Sequence, residues 1–291
     1  MNGINIPIGV VFLSILIAVG VIYVKSKGRY TDYVESLNEA EYRLKNYLHI
    51  GFYILDKINY RYKTRYDRKL LIKLSEISGS KYGSFYLRVH MANKITFMIL
   101  MLLLTCFFGI FIGPDLVFIC FSVGFLGLIF YITDNEVEKK VQERRISIKI
   151  DFPEVLNKLT LLINAGMTIS RAWEKVVVDS KKKSPLYYEI SIVMRDIKSG
   201  KPEREAYEEF AKRCRMPEVT KFVALLLQNI RRGGQELVSL MRVLSAECWE
   251  ERKSIARRLG EEASTKMILP MTIMFLAVLL IVVTPAILAL M

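Results

Sequence analysis

Residues 95–132 read ITFMILMLLLTCFFGIFIGPDLVFICFSVGFLGLIFYI, and their only charged side chain is Asp115. A helix of roughly 20 apolar residues crosses the hydrocarbon core of a bilayer, so this stretch is too long for one span. Gly113-Pro114-Asp115 stands at its middle and is typical of a tight turn, because Pro presets φ and Asp bonds to nearby backbone. The stretch therefore predicts a transmembrane hairpin of two short helices, about 95–112 and 116–132.

Two further stretches, 4–24 and 267–291, contain no Lys, Arg, Asp, Glu or His, and all 42 Lys and Arg residues lie in 25–94 and 133–266. A soluble protein mixes charged and apolar residues along its whole length. The sequence therefore predicts an all-α integral membrane protein with about four transmembrane helices. No basic side chain precedes the first apolar run, which favours an uncleaved anchor at 1–24 over a cleaved signal peptide.

The distribution of charge predicts the orientation, because Lys and Arg are retained on the cytoplasmic side. Segment 25–94 has 15 basic and 7 acidic residues, and segment 133–266 has 27 basic and 21 acidic residues. We therefore expect an N-out anchor at 1–24, a short helical cytoplasmic segment at 25–94 and a cytoplasmic bundle at 133–266. With a C-terminal transmembrane helix at 267–291, the protein is a multi-pass protein of the cell (inner) membrane with both termini outside.

Segment 133–266 predicts six helices with one-sided apolar faces and short connections, as in an antiparallel bundle. Asp151, followed by Pro153 and Glu154, is typical of a helix start with a capping box. The last helix is expected to begin near Gln235 and to continue through Gly260 into the fourth span. The other predicted breaks are Asn164-Ala165-Gly166, Ser184-Pro185, Gly200-Lys201-Pro202, Met216-Pro217 and Gly233-Gly234.

Segment 25–94 predicts a smaller helical piece that ends at Ser78-Gly79-Ser80. His49 and His90 lack the spacing of metal ligands, and we expect both at the surface or next to the membrane. The predicted apolar positions are Leu44, Leu48, Phe52, Ile58, Leu70, Leu71 and Leu74.

The sequence lacks recognisable catalytic motifs. It contains no GxxxxGK[ST] phosphate loop and no GxSxG elbow, and its four cysteines show no CxxC spacing. The acidic pairs Glu208-Glu209, Glu250-Glu251 and Glu261-Glu262 point about 100° apart on a helix, which indicates solvated faces rather than an acid–base couple. The predicted spans also lack the ionisable residues that mark ion pathways. We expect a protein that is not an enzyme and has no cofactor and no metal.

Residues 60–69 read YRYKTRYDRK, in which aromatic and basic residues alternate. Stacking on bases together with neutralisation of phosphates uses such residues, so nucleic acid is one interpretation. The other is a helical stretch beside the membrane that is attracted to anionic lipid and to acidic protein surfaces. We favour the second interpretation and expect no nucleic-acid partner.

The segment Asp151–Met291 resembles the type II secretion system F family, the inner-membrane platform proteins of pilus and secretion machines. The likeness rests on Asp151–Leu156, on Leu161–Ile169 followed by Ala172, and on Ala263–Pro270 leading into a last span with Thr284-Pro285. A looser likeness covers Leu74–Gly79 before the hairpin. Members of this family usually carry two bundle repeats and three spans, whereas one bundle and four spans resemble the tight-adherence pilus subgroup. The family-motif positions are Pro153, Gly166 and Pro270.

The resemblance implies a non-enzymatic platform protein of a type II secretion or type IV (tight-adherence) pilus assembly machine, which couples a cytoplasmic assembly ATPase to pilin assembly or protein export. The partners implied are that ATPase, pilin subunits, a second F-domain platform protein and the lipid bilayer, within an oligomer. A membrane-bound regulatory or sensor scaffold that binds a soluble signalling partner is the alternative left open.

Two basic clusters are candidate contacts for the ATPase. Arg231 and Arg232 stand at the end of the fifth predicted helix, where cations are favoured locally by the helix dipole. Lys181, Lys182 and Lys183 precede Ser184-Pro185, at the start of a helix, where the dipole disfavours cations. Three adjacent lysines repel one another, so an acidic partner surface would relieve the repulsion. The simpler interpretation is a solvated lysine-rich loop.

Overall fold

A computed structural model describes residues 6–35, 37, 42, 44–79, 81–112, 116–180, 182–230 and 236–290. The described residues contain no β-strand, which confirms the all-α prediction. The predicted turns at 113–115 and at Gly233-Gly234 lie outside them. The α-helices are α1 (Ile6–Ser26), α2 (Thr31–Glu35), α3 (Leu48–Ile58), α4 (Arg65–Ser78), α5 (Gly83–Ile112), α6 (Leu116–Asn164), α7 (Ile169–Val178), α8 (Pro185–Lys198), α9 (Glu203–Cys214), α10 (Pro217–Ile230) and α11 (Leu237–Leu290), with a short 3₁₀ helix at Lys45–Tyr47.

Three helices in the described part of the chain, α5, α6 and α11, are long and apolar enough to cross a membrane. Each contains one of the uncharged stretches of the sequence. A further apolar helix, Val10–Ser26 within α1, is shorter. Helix α5 begins at Gly83, well before the predicted start of the hairpin, because the charged residues that precede the apolar stretch continue the same helix.

The chain forms two compact units, Met1–Glu143 and Arg144–Met291. In the first unit, α3 and α4 pack against α5. Gly51 permits the close approach of α3 to α5, because a Cβ there would lie 2.1 Å from the carbonyl oxygen of Ala92. The core of this unit consists of Tyr30, Leu37, Leu48, Phe52, Leu55, Leu70, Leu74, Leu87, Val89, Met91, Ala92 and Val137.

One predicted apolar position of this unit is wrong, and one of the two histidines does not lie at the surface. Ile58 is 66% exposed, since it is the last residue of α3 and its side chain lies beyond the packed face. His90 is buried within the unit, and its Nε2 lies 3.4 Å from a carboxylate oxygen of Asp134. This imidazole is buried by a contact between α5 and α6. The periodicity of a single helix does not reveal such a contact.

A buried cation joins α4, α5 and α6 in the first unit. The ammonium of Lys94 lies 2.8 and 2.9 Å from the two carboxylate oxygens of Asp134, and it donates to the hydroxyl of Tyr66 at 2.8 Å. It also lies 3.1 Å from the ring centroid of Phe130. Burying a charge is costly unless it is paired and hydrogen-bonded, and here both conditions are met. The pair fixes α5 beside α6 at the end of their apolar stretches.

The second unit packs its helices around Trp173 of α7, which is 1% exposed. Its ring centroid lies 5.1 Å from that of Tyr207, 5.2 Å from that of Phe210 and 5.9 Å from that of Phe222. These aromatic side chains come from α7, α9 and α10, so the ring cluster holds three helices together. The helix starts after Thr168, Ser184 and Met216 and the turn at Gly200–Pro202 are confirmed.

The predicted helix start at Asp151 is wrong, because α6 runs without interruption from Leu116 to Asn164 with Pro153 inside it. A proline within a helix removes one backbone hydrogen bond, which is a cost of about 3 kcal/mol. The buried face of α6 spans that position. Burial of each large apolar side chain stabilises the helix by about 1.5–3 kcal/mol, which offsets the cost of the proline. That face consists of Ile148, Phe152, Val155, Leu156 and Leu159.

Candidate coupling site at the base of the long C-terminal helix

Helix α11 has two parts with different surroundings. Leu237, Met241, Leu244 and Cys248 are buried at helical spacing in the core of the second unit, and Ile255 is the last buried side chain. From residue 256 to residue 285 every side chain is exposed, and the apolar stretch begins at Met267. One helix therefore belongs both to the bundle core and to a segment long and apolar enough to cross a membrane.

Lys149 of α6 holds two neighbouring helices to one another. Its ammonium lies 2.8 Å from a carboxylate oxygen of Glu218 at the start of α10 and 2.9 Å from one of Glu251 in α11. Burial alone lowers the pKa of Lys149, but the hydrogen bonds to the two carboxylates outweigh it and leave the pKa above its usual value. Burial likewise raises the pKa of Glu218, and the hydrogen bond from Lys149 brings it below its usual range. Lys149 and Glu218 are therefore charged at neutral pH.

Two further polar contacts hold the same part of α11. Lys221 of α10 lies 2.6 Å from Glu247, and the Ser245 hydroxyl donates to the side-chain oxygen of Asn157 in α6 at 3.2 Å. An exposed ion pair contributes only about 0–1 kcal/mol. Each buried apolar side chain of α11 contributes about 1.5–3 kcal/mol, so the apolar face anchors the helix. The polar contacts fix its register against α6 and α10.

A buried ion triad lies in the same unit. Glu189 of α8 is almost wholly buried, and its two carboxylate oxygens each accept a hydrogen bond at 2.7 Å, one from Arg144 and one from Arg213. The triad joins α6, α8 and α9. Cys214 lies beside it, and burial raises the pKa of that thiol to about 12, so it stays protonated and unreactive at neutral pH.

The family-motif residues lie on separate elements. Pro153 is buried within α6, and Pro270 is exposed within α11. Gly166 follows the end of α6 with a φ of 88°, a left-handed conformation that suits glycine. Its amide donates to the carbonyl of Ile163, which closes the helix end. Gly166 therefore has a local structural task at a helix end, and the structure does not gather the three residues into one site.

Among the candidate ATPase contacts, Lys181, Arg231 and Arg232 lie outside the described residues. Lys182 lies 2.6 Å from Glu154 and 3.3 Å from Asp151, both on α6, and Lys183 is exposed. Hydrogen bonds from Lys182 and then Lys158 lower the pKa of Glu154 to about 2. Lys182 thus has acidic neighbours within its own unit, which the sequence argument did not anticipate. The contact with an ATPase stays a prediction.

The sequence analysis missed Lys149, Glu189 and their partners. A signal for Glu189 was present, because it lies on the apolar face of α8 beside Leu186, Ile190 and Val193. A carboxylate at such a position predicts a buried cation from another helix. The identity of that cation requires the tertiary structure. Within the described residues, no group of three or more His, Cys, Asp or Glu side chains suits a metal ion.

The helices and contacts above define a helical protein in which one helix passes from a bundle core into a membrane-compatible segment. Residues 155–285, from the end of α6 to the apolar part of α11, match the family model described as Type II secretion system (T2SS), protein F. The match confirms the resemblance for this part of the chain, and the tight-adherence subgroup stays a prediction. No significant match to this chain was found among curated proteins or among solved structures.

Replacing Glu189 with Ala should destabilise the full-length protein by about 3–5 kcal/mol, because it removes the buried carboxylate that both Arg144 and Arg213 bind. The measurement is denaturant unfolding of the full chain in mild detergent, followed by circular dichroism. The matched control is Glu208→Ala, which removes an exposed carboxylate 3.0 Å from Arg204 on the same helix and should cost about 0.3–0.5 kcal/mol. Equal losses for the two variants would show that the triad does not support the bundle.

Proposed function

We propose that this protein is a non-enzymatic inner-membrane platform of a type II secretion or tight-adherence pilus machine. The observation that carries the proposal is the continuity of α11 from the bundle core to its apolar stretch, within the residues that match the protein F family. A protein that passes force between a soluble motor and the membrane needs such a rigid connection. The family match favours this role over that of a regulatory or sensor scaffold.

In this proposal, a cytoplasmic assembly ATPase acts on the bundle and α11 transmits the movement to the membrane. The base of α11 is held by Lys149, which contacts Glu218 and Glu251, and by the buried face that ends at Ile255. A rotation or tilt of the bundle would therefore move the helix as a lever, since no Gly-Pro or Gly-Gly pair interrupts it. Pilin subunits and a second F-domain platform protein are the proposed partners in the membrane.

The absence of enzymatic activity is part of the proposal. Its support lies in the chemistry of the buried groups, because burial raises the pKa of Cys214 to about 12 and that of Cys248 to about 11. Thiols that are protonated at neutral pH are poor nucleophiles. Glu189 is almost wholly buried and Lys149 is half-buried, and each is held by two partners of opposite charge.

We further propose four spans, at 4–24, 95–112, 116–132 and 267–291, with both charged segments in the cytoplasm. Support comes from the three long apolar helices, from the shorter one in α1, and from the confinement of all 42 Lys and Arg residues to the two charged segments. Retention of Lys and Arg on the cytoplasmic side then gives one orientation.

Insertion of a flexible Gly-Ser linker after Lys266 should abolish pilus assembly or secretion in cells that depend on this protein. The linker leaves the bundle and the apolar stretch unchanged but breaks the rigid connection between them. The control is the same linker inserted at Gly200, an exposed turn residue outside α11, which should retain activity. Unchanged assembly with the Lys266 insertion, at equal protein levels in the membrane, would contradict the coupling role.

The topology is tested by accessibility in intact cells. A cysteine at Asn2 or Asp115, in a chain without its native cysteines, should react with a membrane-impermeant thiol reagent. A cysteine at the exposed Lys183 should react only after the membrane is permeabilised. Labelling at Lys183 in intact cells would overturn the orientation, because that residue lies in the larger basic segment.

A further inference from the structure

Residues 57–69 form a basic turn with a fixed backbone, which consists of the end of α3, the connection 59–64 and the first residues of α4. Thr64 accepts a hydrogen bond from the amide of Asp67, and the Asp67 carboxylate accepts one from the amide of Thr64. The hydroxyl of Tyr60 also lies 3.0 Å from the Asp67 carboxylate, and Asn59 adopts a left-handed φ of 53°. These contacts give the basic turn a defined shape before it meets any ligand.

The basic turn carries six exposed cations and one acid. The acid is Asp67, which is 1% exposed and occupied by the contacts of the turn itself. In the described part of the chain, the structure records no ion pair for any of the six cations. Their charges therefore face solvent, without an ion partner among the residues that the structure describes. They are Lys57, Arg61, Lys63, Arg65, Arg68 and Lys69.

Tyr66 places the basic turn at the end of two apolar stretches. Its hydroxyl donates to the Asp134 carboxylate at 2.5 Å and accepts from the ammonium of Lys94 at 2.8 Å. Its ring lies 6.4 Å from that of Phe130, which belongs to the last turns of the apolar stretch 116–132. Lys94 directly precedes the other apolar stretch of the hairpin, so Tyr66 lies where the apolar side chains give way to charged ones.

This position, combined with the membrane insertion proposed above, puts the six cations at the level of lipid headgroups. Ile58, beside them, is 66% exposed and supplies an apolar side chain at the same site. Cationic side chains together with an exposed apolar one match an anionic phospholipid, which offers a phosphate above and acyl chains below. We propose that the basic turn, residues 57–69, binds the headgroups of anionic phospholipids in the cytoplasmic leaflet.

The aromatic side chains of the turn argue against nucleic acid as the ligand. Base stacking requires free ring faces. The rings of Tyr60 and Tyr62 contact each other edge to face at 5.0 Å, and the guanidinium of Arg88 lies over the ring of Tyr62 at 5.8 Å. Tyr66 packs on Phe130. The three rings therefore pack against other side chains of the protein, and the exposed cations are the groups that can contact a ligand.

The test measures binding of short-chain phosphatidylglycerol and phosphatidylcholine to the full chain in neutral detergent. We expect tighter binding of phosphatidylglycerol, which weakens as salt rises because the attraction is electrostatic. Changing Arg61, Lys63, Arg65 and Arg68 together to Gln should weaken phosphatidylglycerol binding about tenfold or more and leave phosphatidylcholine unchanged. Changing the same three arginines to Lys, with Lys63 kept, should retain binding, because the charge is preserved.

The matched control changes four exposed cations of the second unit to Gln, namely Arg171, Lys183, Arg195 and Lys212, and should leave phosphatidylglycerol binding unchanged. Equal binding by the four-Gln variant and the unchanged protein would overturn the inference, provided that circular dichroism shows both folded. If the four-Gln variant lost binding to a labelled single-stranded oligonucleotide but kept its lipid binding, the turn would be assigned to nucleic acid instead. The inference rests on the proposed membrane insertion, but lipid binding is measured independently of secretion. If the linker after Lys266 had no effect on secretion, the coupling role would be contradicted and the lipid site would not.

Discussion

Every backbone polar group that enters hydrocarbon must find its partner within the protein, and a helix meets this requirement by itself. This constraint explains why α5, α6 and α11 do not end where their side chains change from charged to apolar. A helix that ended at the membrane boundary would leave carbonyl or amide groups unpaired near the lipid. Continuation into the charged segments removes that cost. For α11 it also creates one helix that is shared by the bundle core and the apolar stretch.

Two clusters of charged side chains lie where three helices meet. Lys94 joins α4, α5 and α6 through Tyr66 and Asp134, and Lys149 joins α6, α10 and α11 through Glu218 and Glu251. A buried or half-buried ion pair contributes little net stability compared with apolar packing, but a buried charge that loses its partner is costly. Such pairs therefore select one register of the helices over its alternatives. The force-transmitting role proposed above would depend on that property, because slippage between helices would dissipate the movement.

The order of elements was predictable from the sequence, and the contacts between them were not. Helix breaks at Gly166, Ser184-Pro185 and Met216-Pro217 follow from local backbone chemistry, so the sequence alone locates them. Pro153 misled the sequence analysis, because proline favours helix starts and only the buried face of α6 reveals that the helix continues. The positions of Lys149, Glu189 and Tyr66 depend on residues far along the chain. No periodicity within one helix could supply them.

The central claim is that α11 forms one rigid helix between the bundle and the membrane. It is tested most directly by pulsed electron spin resonance, with spin labels at Glu250 and Lys266 in a full chain that lacks its four native cysteines. A continuous helix places these two Cα atoms about 24 Å apart, at a rise of 1.5 Å per residue. The account predicts a narrow distribution near that distance, broadened only by the label side chains. A broad distribution, or one centred at a much shorter distance, would show a break near Gly260 and contradict the coupling role.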